Sequence, residues 1–371
     1  MTAQPEVRVP GSRLLKAMQV ALFFSACVWF LFSLLAVFPA PFYLGWKLAI
    51  VATERGYYVV PAGLLFLAGW NRGPLLKAAA VLGISSSLLL LSPLARAARF
   101  DGFNARALLS GGSAGHADVK RFFFSIGTDS LPIDYYAAAS AGRTPPLVVV
   151  IHGGSWRGGN QTELAAMNFR LTEKGYAVAA ISYRFAPTHP YPAQLDDVRS
   201  AITLLRQRAR ELGFDPNSIV LFGRSAGGHL ALLAAYEQPD PTIKGVVSFY
   251  GPTDLIWGYD HPSAPLVHDS RGILEDFIGG PPSDRPTVYQ HGSPLTHIAN
   301  APPTLLIHGT RDELVNVRHS RRLADALRIA GKPVTFIELP WATHACDYFR
   351  TGPCGQISAF YVFEFLEGVL N

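Results

Sequence analysis

The chain has 371 residues, of which 49% are hydrophobic and 16% charged, a mix that excludes a disordered or fibrous protein and leaves room for one large catalytic domain plus an accessory region. The formal charge of +5 raises the question of nucleic acid, but Lys and Arg are scattered rather than gathered into a basic run with interleaved aromatics, so no nucleic-acid partner is expected. Three cysteines are too few for a disulfide scaffold, and neither CxxC spacing nor a Cys/His cluster points to zinc, so no metal and no cofactor are expected.

A mean hydropathy of +0.20 is high for a soluble enzyme, and the excess lies in roughly the first hundred residues. Ala17 to Phe38 is a charge-free run preceded by Arg8, Arg13 and Lys16, long enough to cross a hydrocarbon core as a helix. A cleavable signal peptide competes for this run, but it is long for that purpose and more apolar segments follow. Gly56 to Trp70 and Ala78 to Ala95 are those segments, separated by Asn71-Arg72-Gly73-Pro74 and bounded by Glu54, Arg55 and Arg96. Three spans are expected; because the second run is short and contains Pro61, two spans plus an interfacial segment is the alternative. With the leading basic residues cytoplasmic, three spans place the rest of the chain on the extracytoplasmic side. Lys47, Arg55, Arg96 and Arg99 would then lie near the outer face, so charge decides the orientation only weakly. From Ala97 to His116 the chain turns polar and Gly-rich, through Gly111-Gly112-Ser113, as a linker does. The expected organisation is a membrane region at residues 1–96, a linker at 97–117 and a catalytic domain at 118–371.

Beyond the linker, Leu147 to Ile151, Ala177 to Ile181, Ile219 to Phe222, Gly245 to Phe249, Thr304 to Ile307 and Val334 to Leu339 read as strands. Short Val- and Ile-rich runs without clean alternation suit strands buried on both faces of a parallel sheet. Leu195 to Leu212, Gly228 to Tyr236 and His319 to Ile329 have helical character, which gives the rhythm of an α/β fold: a mostly parallel sheet with helices on both faces, preceded by transmembrane helices.

Ile219 to Phe222 runs straight into Gly223-Arg224-Ser225-Ala226-Gly227 and then a helix-compatible stretch. This is the Gly-x-Ser-x-Gly arrangement, in which a sharp strand-to-helix turn exposes a serine nucleophile and requires small residues on either side. A chance match in a Gly-rich loop is the competing reading, and the second motif argues against it. Val148 to Ile151 leads into His152-Gly153-Gly154-Ser155-Trp156, a glycine loop whose N–H groups suit a tetrahedral oxyanion, with the N–H of Ala226 as a further donor. No Lys-Ser/Thr follows, so the loop is not a phosphate-binding P-loop. Two further strands open into His308-Gly309-Thr310-Arg311-Asp312 and Pro340-Trp341-Ala342-Thr343-His344. The order Ser, Asp, His assigns Ser225 as nucleophile, His344 as base and Asp312 as the acid that orients it. Glu313 and Asp347 are rivals for the acid. His229 and His308 read as structural, and His268, His291 and His297 as candidates for lining the pocket.

The segment Ser182-Tyr183-Arg184-Phe185-Ala186-Pro187-Thr188-His189-Pro190-Tyr191-Pro192-Ala193, with Asp196-Asp197, resembles the signature of hormone-sensitive-lipase-like and acetylesterase-like members of the α/β-hydrolase superfamily. Phe277-Ile278-Gly279-Gly280, Ser293-Pro294-Leu295 and Pro302-Pro303 are similar to the acetyl esterase/lipase branch, which includes feruloyl-esterase-like and kynurenine-formamidase-like enzymes. The resemblance covers most of Val119 to Asn371 and implies a Ser-His-Asp mechanism with an acyl-enzyme. Ser155 replaces the third glycine of the usual His-Gly-Gly-Gly, which leaves open which of Gly153, Gly154 and Ser155 donate. Where relatives carry a soluble helical cap, this chain has membrane segments. The insertion from Asp254 to Ile298 is therefore expected to cover the pocket, with Trp257, Tyr259, His261 and Tyr289, together with Trp156, as lining. The implied activity is a serine carboxylesterase acting on a small-molecule acyl ester with a short acyl chain, with the bilayer as its other partner. The alternatives are an arylformamidase-like amide hydrolase, a lipase on membrane lipid esters, and an inactive binding module. If the domain is extracytoplasmic, Cys346 and Cys354 are expected to form a disulfide.

Overall fold

Long uncharged runs of good helix formers build the N-terminal region. In the computed structural model, which describes residues 11–110, 118–139 and 144–370, they form α1 (Gly11–Leu34), α2 (Tyr43–Glu54) and α3 (Pro74–Ala97). Arg8 and the Gly111-Gly112-Ser113 linker lie outside the described residues. Two helices, Arg13–Leu34 and Pro74–Ala97, are long and apolar enough to cross a membrane. The second expected span differs. Gly56–Gly69 is a shorter apolar segment split into 3-10, α and 3-10 pieces, because its glycines and Pro61 weaken a regular helix. It packs antiparallel to α3: a Cβ at Gly56 would meet the Leu90 side chain, and one at Gly69 would meet Leu76. Ala36, just past α1, clusters with Leu90 near the end of α3, and Trp29 approaches Gly63 beside Gly83. Thus α1 and α3 run in the same direction, with both C-terminal ends toward the catalytic domain.

That domain opens with an antiparallel hairpin that the sequence reading lacks, β1 (Val119–Ile126) and β2 (Asp129–Tyr136). The edge strand β1 is largely exposed, and its only apolar run is the short Phe122-Phe123-Phe124, flanked by Lys120, Arg121 and Ser125. The six expected strands follow as β3 (Pro146–Ile151), β4 (Ala177–Ile181), β5 (Asp215–Arg224), β6 (Ile243–Phe249), β7 (Thr304–Gly309) and β8 (Val334–Leu339). They are mutually parallel, and the sheet order is β1-β2-β4-β3-β5-β6-β7-β8. One apolar layer packs the sheet against α5 (Ala193–Gln207), α6 (Ala226–Tyr236) and α7 (Arg318–Ile329). The other packs against α4 (Ala166–Glu173) and α8 (Pro353–Leu370). This is the α/β-hydrolase architecture expected from the resemblance.

The helix α2 is a feature that the sequence reading did not assign. Its inward residues Trp46, Ala49 and Ile50 pack with Val267 and Leu314 of the catalytic domain, and burying a side chain such as Ile50 contributes about 1.5–3 kcal/mol. At its end, Glu54 is fully buried; its two oxygens accept from Trp341 Nε1 at 3.2 Å and from Cys354 N at 2.9 Å. Nearby, the Ala40 N–H donates to Glu313 at 3.1 Å and Arg311 donates to the carbonyls of Leu35 and Phe38. Arg96 donates to the Pro340 carbonyl at 2.9 Å. Cys346 is bonded to Cys354, closing a short loop immediately after His344.

Burial raises the Glu54 pKa from 4.5 to about 8. The folded protein therefore binds more protons than the unfolded chain between these two values, so the contribution of this site to stability falls as pH rises through that window. Thermal unfolding of the full chain in detergent should lose more between about pH 5 and about pH 8 than that of Glu54→Gln, which cannot ionise. Equal pH slopes for the two proteins would contradict a protonated Glu54.

Candidate active site

The nucleophile motif folds as its spacing requires. β5 ends at Arg224, Ser225 takes φ 53° and ψ −122°, and α6 begins at Ala226. A Cβ at Gly223 would come within 2.0 Å of the Gly227 carbonyl oxygen, and one at Gly227 within 2.2 Å of the Ile151 carbonyl oxygen. Only glycine fits at both places. The turn is pinned by the Ser225 N–H, which donates to the Phe249 carbonyl at 2.8 Å.

Asp312 and His344 leave the ends of β7 and β8, so the sheet delivers both to the edge where Ser225 emerges. The His344 Nδ1–H donates to Asp312 Oδ2 at 2.6 Å, and the other oxygen, Oδ1, accepts from the N–H groups of Leu314 and Val315 at 2.9 and 2.8 Å. Burial alone would raise the Asp312 carboxyl, but the charge on His344 and hydrogen bonds from His308 and His344 outweigh it and hold the group well below the ordinary aspartate range. The rival acids are engaged elsewhere. Glu313 accepts from Thr343 and the Ala40 N–H, and Asp347 from Arg224 Nε at 2.6 Å and the Tyr250 hydroxyl at 2.5 Å. The other histidines sort similarly. His229 bonds to the Gly292 carbonyl, and His308 to Ser320 and Val315 while its Nε2 also stands 3.2 Å from Asp312 Oδ2, behind the carboxylate. His291 bonds to Tyr191, and His297 to the carbonyl of His291. His268 lines the site, and its pKa is lowered to about 4 by burial and the nearby His344.

Two cavities meet at Ser225. The smaller, about 110 Å³, lies under the insertion and is bordered by Ser155, Trp156, Ala226, His261 and His268. The larger, about 470 Å³, is bordered by Gly153, Gly154, Ser155 and His344. Gly153 lies directly against Ser225, since a Cβ there would sit 3.3 Å from the Ser225 Cβ. Trp156 is a rigid wall, stacked on Phe277 with ring centroids 4.1 Å apart. Trp257 and Tyr259 are not brought to the site. The Trp257 ring stacks on His261 and meets His319 edge-on, and the Tyr259 hydroxyl is held by Glu275 at 2.6 Å. Among the described residues bordering the two cavities neither appears, and Tyr289 is likewise buried against Tyr259. Among the described residues no group of three His, Cys, Asp or Glu side chains is placed to hold a metal ion.

Sequence reasoning missed three aromatic residues at the site. The Tyr250 ring lies 4.4 Å from that of His344. Trp46 of α2 donates its indole N–H to the His344 carbonyl at 3.2 Å, and Tyr43 and Trp46 both border the larger cavity. The signal for the last two is an aromatic cluster, Phe42, Tyr43 and Trp46, placed just after the first apolar run, where membrane-interface aromatics gather.

The BD-FAE family profile matches residues 133–327, a stretch that holds Ser225 and Asp312 and ends before His344. The chain is 34% identical over 243 residues to the probable carboxylic ester hydrolase LipM of Mycobacterium tuberculosis, covering 61% of this chain and 55% of LipM. It is 33% identical over 236 residues to esterase LipC of the same organism, covering 58% of each. The chain thus spans little more than half the length of these curated relatives. Among solved structures it is similar to a thermophilic esterase, Est2, of Thermogutta terrifontis with propionate bound, at 26% identity and a TM-score of 0.56, covering 70% of this chain and 96% of that one.

Replacing Ser225 or His344 by Ala should each lower turnover by roughly 10⁴-fold or more without unfolding the protein, since members of one proton-transfer unit fail together. Asp312→Asn should cost less. Near-normal ester turnover by folded Ser225→Ala would remove it as the nucleophile.

Proposed function

The chain belongs to the BD-FAE family, and from that premise we propose that it is a serine carboxylesterase hydrolysing short-chain acyl esters through an acyl-enzyme. One observation carries the reading: Ser225 and His344 border a single cavity while Asp312 holds His344 by its Nδ1–H at 2.6 Å. The Ser225 hydroxyl attacks the ester carbonyl carbon and its proton passes to Nε2 of His344. Charge moves onto the carbonyl oxygen, where N–H groups of the Gly153-Gly154-Ser155 loop and of Ala226 receive it. Asp312, kept ionised, stabilises the imidazolium. Collapse of the intermediate expels the alcohol oxygen, which takes the proton from His344. Water then repeats the cycle on the acyl-serine, releasing the acid and restoring the serine hydroxyl. The esterases among the similar proteins support ester over amide chemistry.

The smaller cavity favours a short acyl group, because about 110 Å³ is below the ~150 Å³ of a cavity that holds a benzene ring. On p-nitrophenyl esters the rate should peak between roughly two and six carbons and show no jump at the critical micelle concentration. A maximum at long chains with such a jump would favour a lipase.

The membrane reading follows from helix direction. Two parallel spans, α1 and α3, require a return crossing between them. Gly56–Gly69 supplies about 25 Å, close to the ~30 Å hydrocarbon core, because 3-10 turns rise further per residue than α turns. The chain then crosses three times, with Arg13 and Lys16 cytoplasmic and the catalytic domain outside, in a compartment compatible with the Cys346–Cys354 disulfide. Reporter fusions should read cytoplasmic after Trp70 and extracytoplasmic after His116; the same side at both points would rule out the return crossing.

A further inference from the structure

Ser225 stands where two cavities of unequal size meet, and they differ in which member of the triad borders them. Among the described residues, His344 borders the larger cavity of about 470 Å³ and not the smaller one of about 110 Å³. In ester cleavage the base hands its proton to the departing alkoxide, so the alcohol half of the substrate lies on the His344 side. The acyl half is left with the smaller cavity. We propose that the substrate is a short-chain acyl ester of a large, apolar alcohol, and that Tyr43 and Trp46 of α2 form the wall against which this alcohol packs.

The inference rests on the esterase reading and goes beyond it by naming the alcohol half. The wall is built: the Tyr43 and Trp46 rings lie 5.3 Å apart, and Trp46 is fixed by its hydrogen bond to His344 and by packing with Leu314. Residues 43 and 46 lie outside the family match at 133–327. Its surroundings suit an alcohol that arrives from lipid. Phe38, Phe42 and Leu44 expose their side chains beside it, and Leu266, 78% exposed, accepts the Tyr43 N–H on the opposite lip at 3.0 Å. These apolar groups continue the outward face of α1, whose residues Leu14, Leu22 and Leu31 are also exposed. With the chain in the membrane as proposed, an ester of a lipid-soluble alcohol can therefore pass from the bilayer surface into the cavity without crossing water.

Decyl acetate and methyl undecanoate test this directly. They are isomers with the long chain on the alcohol side in one and on the acyl side in the other. With the full chain in detergent micelles, kcat/KM for decyl acetate should exceed that for methyl undecanoate by about tenfold or more. Trp46→Ala should raise KM for decyl acetate by about fivefold or more, with a smaller loss in kcat. Trp46→Phe, which keeps a ring in the wall but removes the N–H to His344, should recover most of that KM. Tyr43→Ala, at the exposed rim, should move KM the same way and serves if Trp46→Ala does not fold. Preference for methyl undecanoate, or an equal fall in kcat for both Trp46 variants with KM unmoved, would overturn the proposal. So would cleavage of p-nitrophenyl acetate with neither isomer turned over. Failure of Ser225 to react with a fluorophosphonate would instead overturn the esterase reading beneath it.

Discussion

Shortage of space around Ser225 is the constraint on which the rest of the catalytic domain depends. The backbone approaches itself so closely at Gly223 and Gly227 that no side chain fits at either, and the serine between them is forced to positive φ. Such strain costs on the order of 1–3 kcal/mol. It persists because β5 is held between β3 and β6 and α6 is buried along its whole length. The parallel strands then do the remaining geometric work. Since β7 and β8 point the same way as β5, the residues that follow them reach the same edge, and Asp312 and His344 meet there without any long excursion of chain.

Around this frame the N-terminal region packs directly against the domain. It contributes a side of the larger cavity through Tyr43 and Trp46, and it touches both segments that carry Asp312 and His344. Ala40 and Leu35 hold the 311–313 loop through Glu313 and Arg311, while Glu54 and Trp46 hold the 341–354 stretch. A soluble cap would serve as cover alone; here the covering element emerges from helices of spanning length.

Much of this was legible in residue order. The buried strands announced themselves as short Val/Ile runs, and the glycine motifs located Ser225 and its loop because backbone crowding permits few residue types. Asp312 could be singled out because it stands just past a strand end, and the structure places it against His344. What stayed hidden depended on long-range packing. β1 is half-solvated and carries no clean pattern, and α2 looks like a connection between spans until its inward residues find Val267 and Leu314. Trp257 and Tyr259 attracted attention as aromatics in the insertion, yet the partners that claim them, His261, His319 and Glu275, are invisible to a reading that knows spacing but not direction.

The buried carboxyl of Glu54 links two ends of the chain that are made at very different times. A polypeptide leaves the ribosome N-terminus first and its parts fold as they appear. The carboxyl is therefore available long before Trp341 and Cys354, the groups that bracket His344, have been synthesised. Until then α2 waits beside an unfinished site. The geometry around His344 is thus among the last things the nascent protein acquires, and acquiring it requires that the N-terminal helices already be in place.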